Sequence, residues 1–281
     1  MRTQRSWMHA SITLLVMTSV VTIGMSAQGI ITSDSGRGQQ GAYVEPRPVA
    51  TKVKPIRLYG NIQWIFGIAS SDFFQDYKSQ LLGPASTFDA AEGVRGGVSS
   101  FQFPNVGIGL EVGYYRVALR ETYVFRSILD STRPDQTVGQ DFIMNVVPVF
   151  ATIDYFPVKR QFTAYVGAGV GMSFINVRWS ESLSATQLPG ARKSGLRYDE
   201  SHVVPSGQVR SGVSLGWDAS PTAVVRPSLF FEITYTIIPF TAPLFSDVAP
   251  TLDNPPDRLR GSYAIQAGGV GVHAGISLLL R

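Results

Sequence analysis

The residues through which this sequence could do chemistry are few: three histidines and a small set of charged side chains set among glycines. His202 follows Asp199 and Glu200, acids that can orient a histidine as a general base. His273 stands in GVHAG, where a carboxylate such as Glu232 or Glu111 facing it would have the same effect. Against this, a histidine in a polar loop is more often a solvated side chain, and one among strand glycines is more often a hydrogen-bonded interior group. His9 falls within the first 27 residues. A lipid deacylase needs serine and histidine together on an outward face, and no such pair stands out. The chain has no cysteine, which excludes disulfides, thiolate metal sites, a cysteine nucleophile and a lipidated cysteine. The GAGVG at Gly167 lacks the strand, turn and helix that a dinucleotide site requires. No catalytic residue, metal site or cofactor is expected.

The elements that carry these groups show themselves by a two-residue period. Between Phe162 and Trp179, Ala164, Val166, Ala168, Val170, Met172 and Phe174 form one row, and Tyr165, Gly167, Gly169, Gly171 and Ser173 form the other. An extended strand sends alternate side chains to opposite faces, so the rows are two sides of one sheet. Glycine weakens a strand unless something approaches its backbone closely. Three in alternation indicate the inside of a narrow closed sheet, and the apolar row then faces outward into oily surroundings.

Composition agrees. Of 281 residues 44% are hydrophobic and 16% charged, below the usual charged quarter. Residues 1–27 combine Arg2 and Arg5 with an apolar run from Ile12 to Met25 and the small pair Ser26 and Ala27, the layout of a secretory signal peptide. Without those two arginines the net charge of +4 falls to +2, a balance that implies no nucleic-acid partner. Residues 28–56, with Pro46, Pro48 and Pro55, read as a flexible linker.

Eight strands are expected, over 57–69, 106–115, 117–129, 141–156, 162–179, 207–218, 228–238 and 263–280. Long connections span 70–103, 180–204 and 239–260. Within the first, Phe73, Phe74, Tyr77 and Leu81 have helical spacing. Glu121 falls on the row of Leu119, Tyr123 and Phe125, which suggests a bulge, and Pro148 suggests a local irregularity. Long loops at one end and short turns at the other are the habit of outer-membrane barrels. Tyr114, Tyr155, Phe156, Phe162, Trp217 and Phe230 would form an aromatic girdle at the short-turn end, and Phe142, Trp179, Phe240 and Tyr263 the opposite one.

The rows opposite the apolar ones are largely glycine, serine and threonine and hold Glu111, Asp154, Arg210, Glu232 and His273, with Arg120 and Arg126 if the third strand keeps its register. These read as a polar network closing the lumen, with Arg210 bridging Glu111 or Glu232, because an unpaired buried charge is strongly unfavourable. A narrow gated pore is the other reading. Lys78, Arg95, Arg192, Lys193 and Arg197, placed in outer loops, could meet lipopolysaccharide phosphates, although interspersed acids make ordinary solvation the simpler account.

VPVFATIDYFPV from Val147, AYVGAGVGMSF from Ala164, NVGIGLEVGYY from Asn105 and GGVGVHAGISLLL from Gly268 resemble the outer-membrane β-barrel family of OmpA, OmpX and OmpW types. The resemblance spans about 57–281. It implies an all-β fold, an eight-stranded antiparallel up-and-down transmembrane β-barrel in the outer membrane. The partners it implies are outer-membrane lipid, lipopolysaccharide and the barrel-assembly machinery. The family often ends in an aromatic residue, whereas this sequence ends Leu280-Arg281. The expected role is structural, surface-binding at the loops, or passage of a small solute, without covalent catalysis. A soluble lipocalin-like carrier of an apolar ligand and a lipid-modifying barrel enzyme are the alternatives.

Overall fold

In a computed structural model the described residues are 54–68, 91–103, 105–125, 136–157, 162–183, 197–216, 223–244 and 261–280. They belong to one compact unit, Lys54–Arg281. The expected signal peptide, nearly all of the expected linker, the helix expected near Phe73, Arg126, Lys78, Arg192, Lys193 and Trp217 lie outside them.

Ten strands follow one another: β1 (Ile56–Phe66), β2 (Ala91–Phe103), β3 (Val106–Phe125), β4 (Gln136–Tyr155), β5 (Phe162–Leu183), β6 (Arg197–Gly216), β7 (Val225–Ile237), β8 (Pro239–Leu244), β9 (Gly261–Gln266) and β10 (Gly269–Leu280). Eight of them close an antiparallel barrel in the order β1-β10-β7-β6-β5-β4-β3-β2, and β8 pairs with β9 in a separate two-stranded sheet. Over the lower part of the ring closure gives every strand two hydrogen-bonded neighbours, whereas beyond Arg116 β3 pairs only with β4 and beyond Gly207 β6 pairs only with β5 among the described residues. The first and last strands of the ring meet at the short-turn end, where Ile56 pairs with Leu280. At the far end of β1, Gly67 has a φ of 87°, in the left-handed region that favours glycine.

The expected count of eight stands, but the strands are divided differently. The segments expected at 106–115 and 117–129 are one strand, β3, whose register on β4 runs without a shift from Val106↔Tyr155 to Phe125↔Gln136. No bulge forms at Glu121. Pairing lapses only at Gly113 and Tyr114, opposite Pro148 and Val147, because proline has no N–H to donate. The place of the lost boundary is taken by β2, which sequence reasoning assigned to a loop. The supposed loops at 180–204 and 239–260 likewise give up residues to the upper part of β6 and to β8. β8 and β9 continue the register of β7 and β10, and the gap is bridged by the Ala267 N–H on the Ile238 carbonyl at 3.0 Å.

One reversal organises these long strands. On β5 the outward row is apolar from Phe162 through Phe174 and then turns to Asn176, Arg178 and Ser180. The inward row turns the other way, from Gly171 and Ser173 to the buried Ile175, Val177 and Trp179. The residues at which the outward rows of four neighbouring strands turn polar are ladder partners: Arg116 with Asn145, Asn145 with Asn176, and Asn176 with Ser201. Beyond this row the barrel wall encloses an apolar core of Val117, Leu119, Phe142, Met144, Val177 and Trp179, joined by Phe240 and Ile265 of the β8–β9 hairpin.

The reversal corrects the aromatic girdles. Phe142, Trp179 and Phe240 point inward and are buried, and Tyr263 packs against the same core. Phe156 and Phe230 are also buried inside, and Tyr114 lies in mid-strand. Tyr155 and Phe162 do face outward beside the short turns.

Inward glycines act as sockets for large neighbours across the ladder. A Cβ at Gly97 would stand 2.5 Å from the Tyr59 hydroxyl, and one at Gly212 would stand 2.6 Å from the Tyr165 ring and 2.7 Å from the Phe231 carbonyl. Gly60, on the outward face, has its nearest neighbour at 3.9 Å. Overpacking predicts that Gly212→Ala costs about 1–3 kcal/mol. Gly60→Ala, which meets nothing, changes stability by no more than about 0.5 kcal/mol. Denaturant unfolding in detergent, followed by tryptophan fluorescence, measures both.

Candidate functional site

The inward row of the lower barrel brings together the charges that the sequence places opposite the apolar rows. Arg210, on β6, donates from Nε and Nη2 to the two oxygens of Asp154 on β4, each at 2.7 Å, and from Nη1 to Glu111 Oε2 at 2.5 Å. Its Nε lies 4.0 Å from Glu232 Oε2. A planar guanidinium suits this task because its fork meets a carboxylate at two points. The three carboxylates come from β3, β4 and β7, so a single side chain ties together strands on different sides of the ring.

A second guanidinium completes the cluster. Arg95 of β2 donates to Glu111 Oε1 at 3.2 Å and pairs with Glu232. Arg95 was expected in an outer loop; it is 4% exposed and sits inside the barrel. Its sequence did hold a signal. Gly93, Arg95, Gly97 and Ser99 alternate with Val94, Gly96 and Val98 in the same manner as Gly109, Glu111 and Gly113 with their neighbours. Arg120, by contrast, was considered for the interior and lies on the outward face, 87% exposed by its side chain and paired to Asp141 at 2.6 Å.

Neutral groups saturate what the arginines leave. Tyr59 donates its hydroxyl to Glu111 at 2.7 Å, Tyr165 donates to Glu232 at 2.8 Å, and Gln208 donates to Glu111 at 2.8 Å. Sequence reasoning did not single out these three. Arg57 stands nearer the short-turn mouth, its guanidinium carbon 5.1–5.7 Å from the ring centroids of Tyr59, Phe156, Tyr165 and Phe230. Cations are attracted to aromatic faces at such distances. The lower lumen is thus filled from mouth to network.

The two remaining histidines are placed apart. His273 is the ladder partner of Glu232, yet its Nε2 meets the Thr234 hydroxyl at 2.8 Å and its Nδ1 lies 3.4 Å from Asn61 Oδ1. With both ring nitrogens on neutral groups, it lacks the carboxylate that would orient a general base. His202, on β6 and not in a loop, lies 3.8 Å from Glu200 and packs on the Phe240 ring at a centroid distance of 5.4 Å. Glu200 also accepts a hydrogen bond from the Tyr198 hydroxyl at 3.0 Å. Among the described residues no group of three histidine, aspartate or glutamate side chains is placed to hold a metal ion.

No family model matches this sequence, and no curated protein matches it. Among solved structures the chain is similar to Neisserial surface protein A (NspA), with 11% identity and a TM-score of 0.32 over 81% of this chain and 96% of that one. It is also similar to Ail, the attachment invasion locus protein of Yersinia pestis, with 9% identity and a TM-score of 0.33 over 81% and 97%. Both are outer-membrane barrels of eight strands. Identities this low say nothing about what the chain binds.

Removing one partner from a buried ion pair leaves an uncompensated charge and typically costs about 3–5 kcal/mol. Arg210→Met is expected to fall in that range. Adding Asp154→Asn should cost less than the sum of the two single changes, since the second then removes a charge already stranded. A double-mutant cycle on unfolding free energies measures the coupling; additive losses would contradict the geometry.

Proposed function

We propose that this protein is an integral outer-membrane barrel with a closed lumen, whose elongated strands carry a binding surface beyond the membrane. The observation that carries the proposal is the filling of the interior. An ion-paired network occupies the lower lumen, and a packed apolar core follows directly above it. Water and ions cross a pore through polar or hydrated space, and among the described residues of the upper half the buried inward row is apolar apart from Gln140 and Glu181.

The membrane part of the reading rests on the outward row. Ile62, Leu110, Ile153, Val166, Val170, Phe231, Ile233 and Ile276 are each more than half exposed. Single exposed apolar residues are ordinary, but a continuous apolar surface around a ring is an interface with something oily. A soluble lipocalin-like carrier would need the apolar rows turned inward along the whole barrel. Here the inward row of the lower half is mostly charged, polar or glycine, with Phe150, Phe156 and Phe230 packed among them.

The surface-binding part rests on strand length. A tilted strand crosses a bilayer in about 9–11 residues. β3, β4 and β6 have 20 residues each and β5 has 22, so close to half of β3, β4 and β5, and residues 197–201 of β6, project beyond the apolar band. Among the described residues, β3 above Arg116 pairs only with β4, and β6 above Gly207 pairs only with β5. An open strand edge carries unpaired N–H and C=O groups on which an extended segment of another polypeptide can add a strand.

Covalent catalysis has no support in the placement of His202 and His273. The channel reading is tested by single-channel recording of the purified chain in planar bilayers. The proposal predicts no stepwise conductance. Steps of current that change in size or selectivity in Glu232→Gln would overturn it in favour of a pore.

A further inference from the structure

Where the ring stops pairing, two prolines meet. β6 and β7 pair from Gly216↔Ser228 to Gly207↔Ile237, and the same register continued past Ile237 would set Pro205 of β6 against Pro239 of β8. Proline has no N–H, so this pair supplies no donor and the ladder stops. Pro243 removes a second donor from β8. The β8–β9 hairpin therefore stands beside β6 without being bonded to it, and among the described residues its two strands pair only with each other. On the other flank β1 ends at Phe66, opposite Val270, and turns away at Gly67.

The hairpin is joined to the barrel through Ile238 on one strand and through Ala267 and Gly268 on the other. Three hydrogen bonds hold this joint. The Ala267 N–H donates to the Ile238 carbonyl at 3.0 Å, the Ile238 N–H donates to the side-chain oxygen of Gln266 at 2.9 Å, and the Tyr115 hydroxyl of β3 donates to the Ala267 carbonyl at 2.8 Å. Across the seam with β6 the contact is between side chains: His202 lies on the Phe240 ring, 5.4 Å between centroids, with Glu200 3.8 Å from the imidazole. Phe240, Ala242 and Ile265 carry the inner face of the hairpin into the upper core.

We infer that β8–β9 is a hinged flap that covers the unpaired edge of β6 and, by swinging about Ile238 and Ala267, controls access to it. The position described is the closed one. In the swung position Phe240 leaves His202, and the backbone of β6 between Arg197 and Val204 is open to an extended polypeptide segment. Pro205 and Pro239 make the motion independent of the barrel. A hairpin bonded to β6 along its length would open only as the ring opened, whereas one held by side-chain packing and a three-bond joint opens by itself. The inference rests on the binding-edge reading above and adds its regulation.

Hydrogen–deuterium exchange of the full chain in lipid nanodiscs, read by mass spectrometry, tests the flap. Amides of β8 and β9 should exchange together, at least about a hundredfold faster than those of β7 and β10, as a local opening requires. Tyr115→Phe strands the Ala267 carbonyl at the hinge and should speed the hairpin about tenfold further while leaving β5 unchanged. Pro205→Thr with Pro239→Thr returns a donor to each strand, with a residue suited to an exposed strand position, and should slow the hairpin at least about tenfold. Hairpin amides that exchange at the rate of β7 and β10 would overturn the inference, as would a hairpin rate that the double substitution leaves unchanged. Equal acceleration of every strand by Tyr115→Phe would also overturn it, since it would mark that hydroxyl as a support of the whole barrel. Amides of residues 197–204 that stay as protected as those of β5 while the hairpin exchanges would instead overturn the binding-edge reading on which the inference rests.

Discussion

A closed ring of eight strands has an interior just wide enough for side chains to fill, and that narrowness governs what the inner row can contain. Two guanidinium groups, three carboxylates and the tyrosines that cap them need more room than alternating strand positions provide. The room comes from glycine on the adjacent strand. Tyr59 occupies the place of a side chain at Gly97, Tyr165 that at Gly212, and Asp154 that at Gly167. The glycines and the charges are therefore one feature: neither the network nor the ring could form at this diameter without the other. Their mutual dependence also explains why the buried charges come from β2, β3, β4, β6 and β7, since a network confined to one hairpin would leave the opposite wall unfilled.

The same wall serves two surroundings. Below the row of Arg116, Asn145, Asn176 and Ser201, apolar side chains face out and polar ones face in. Above it the arrangement is that of an ordinary soluble sheet, mostly polar outside and mostly apolar within, with Gln140 and Glu181 buried among the apolar side chains. A two-residue period lets one strand make this exchange with no change of register, because each face is written independently. The upper core then closes the barrel with contacts that need no charge pairing.

This reversal also decides how much was visible in the sequence. Where a strand keeps one polarity throughout, as β7 and β10 nearly do, alternation located it within a few residues. β3 changes polarity at Tyr114 to Arg116, and its two halves therefore read as two strands. The upper half of β6 read as a loop, because Arg197, Asp199 and Ser201 face water. Phe142, Trp179 and Phe240 were assigned to an outer girdle on the same assumption, that the oily row always faces out. β2 escaped notice for another reason. Its outward row of Glu92, Val94, Gly96, Val98 and Ser100 is too weakly apolar to announce a buried or membrane face, and with β2 went the place of Arg95. Four of the charged residues that meet in the lumen, Glu111, Asp154, Arg210 and Glu232, stand on rows opposite an apolar row, Glu111 and Arg210 beside glycine and Asp154 and Glu232 beside threonine, and that signature is local enough to read. Their pairing with Tyr59, Tyr165 and Gln208 depends on which strands are neighbours across the ring, which no single stretch of sequence records.

The absence of native cysteine makes the reversal directly measurable. Single cysteines placed along β5 at Ala164, Ala168, Met172, Asn176, Arg178 and Ser180, and at the inward Ile175 and Val177, can be exposed to a membrane-impermeant maleimide with the protein in a bilayer. The account predicts no labelling at positions 164, 168 and 172, ready labelling at 176, 178 and 180, and protection at 175 and 177. Labelling that extends without a break through Ala168 and Ala164, or strong labelling at 175 and 177, would contradict a wall that passes from lipid to water at Phe174.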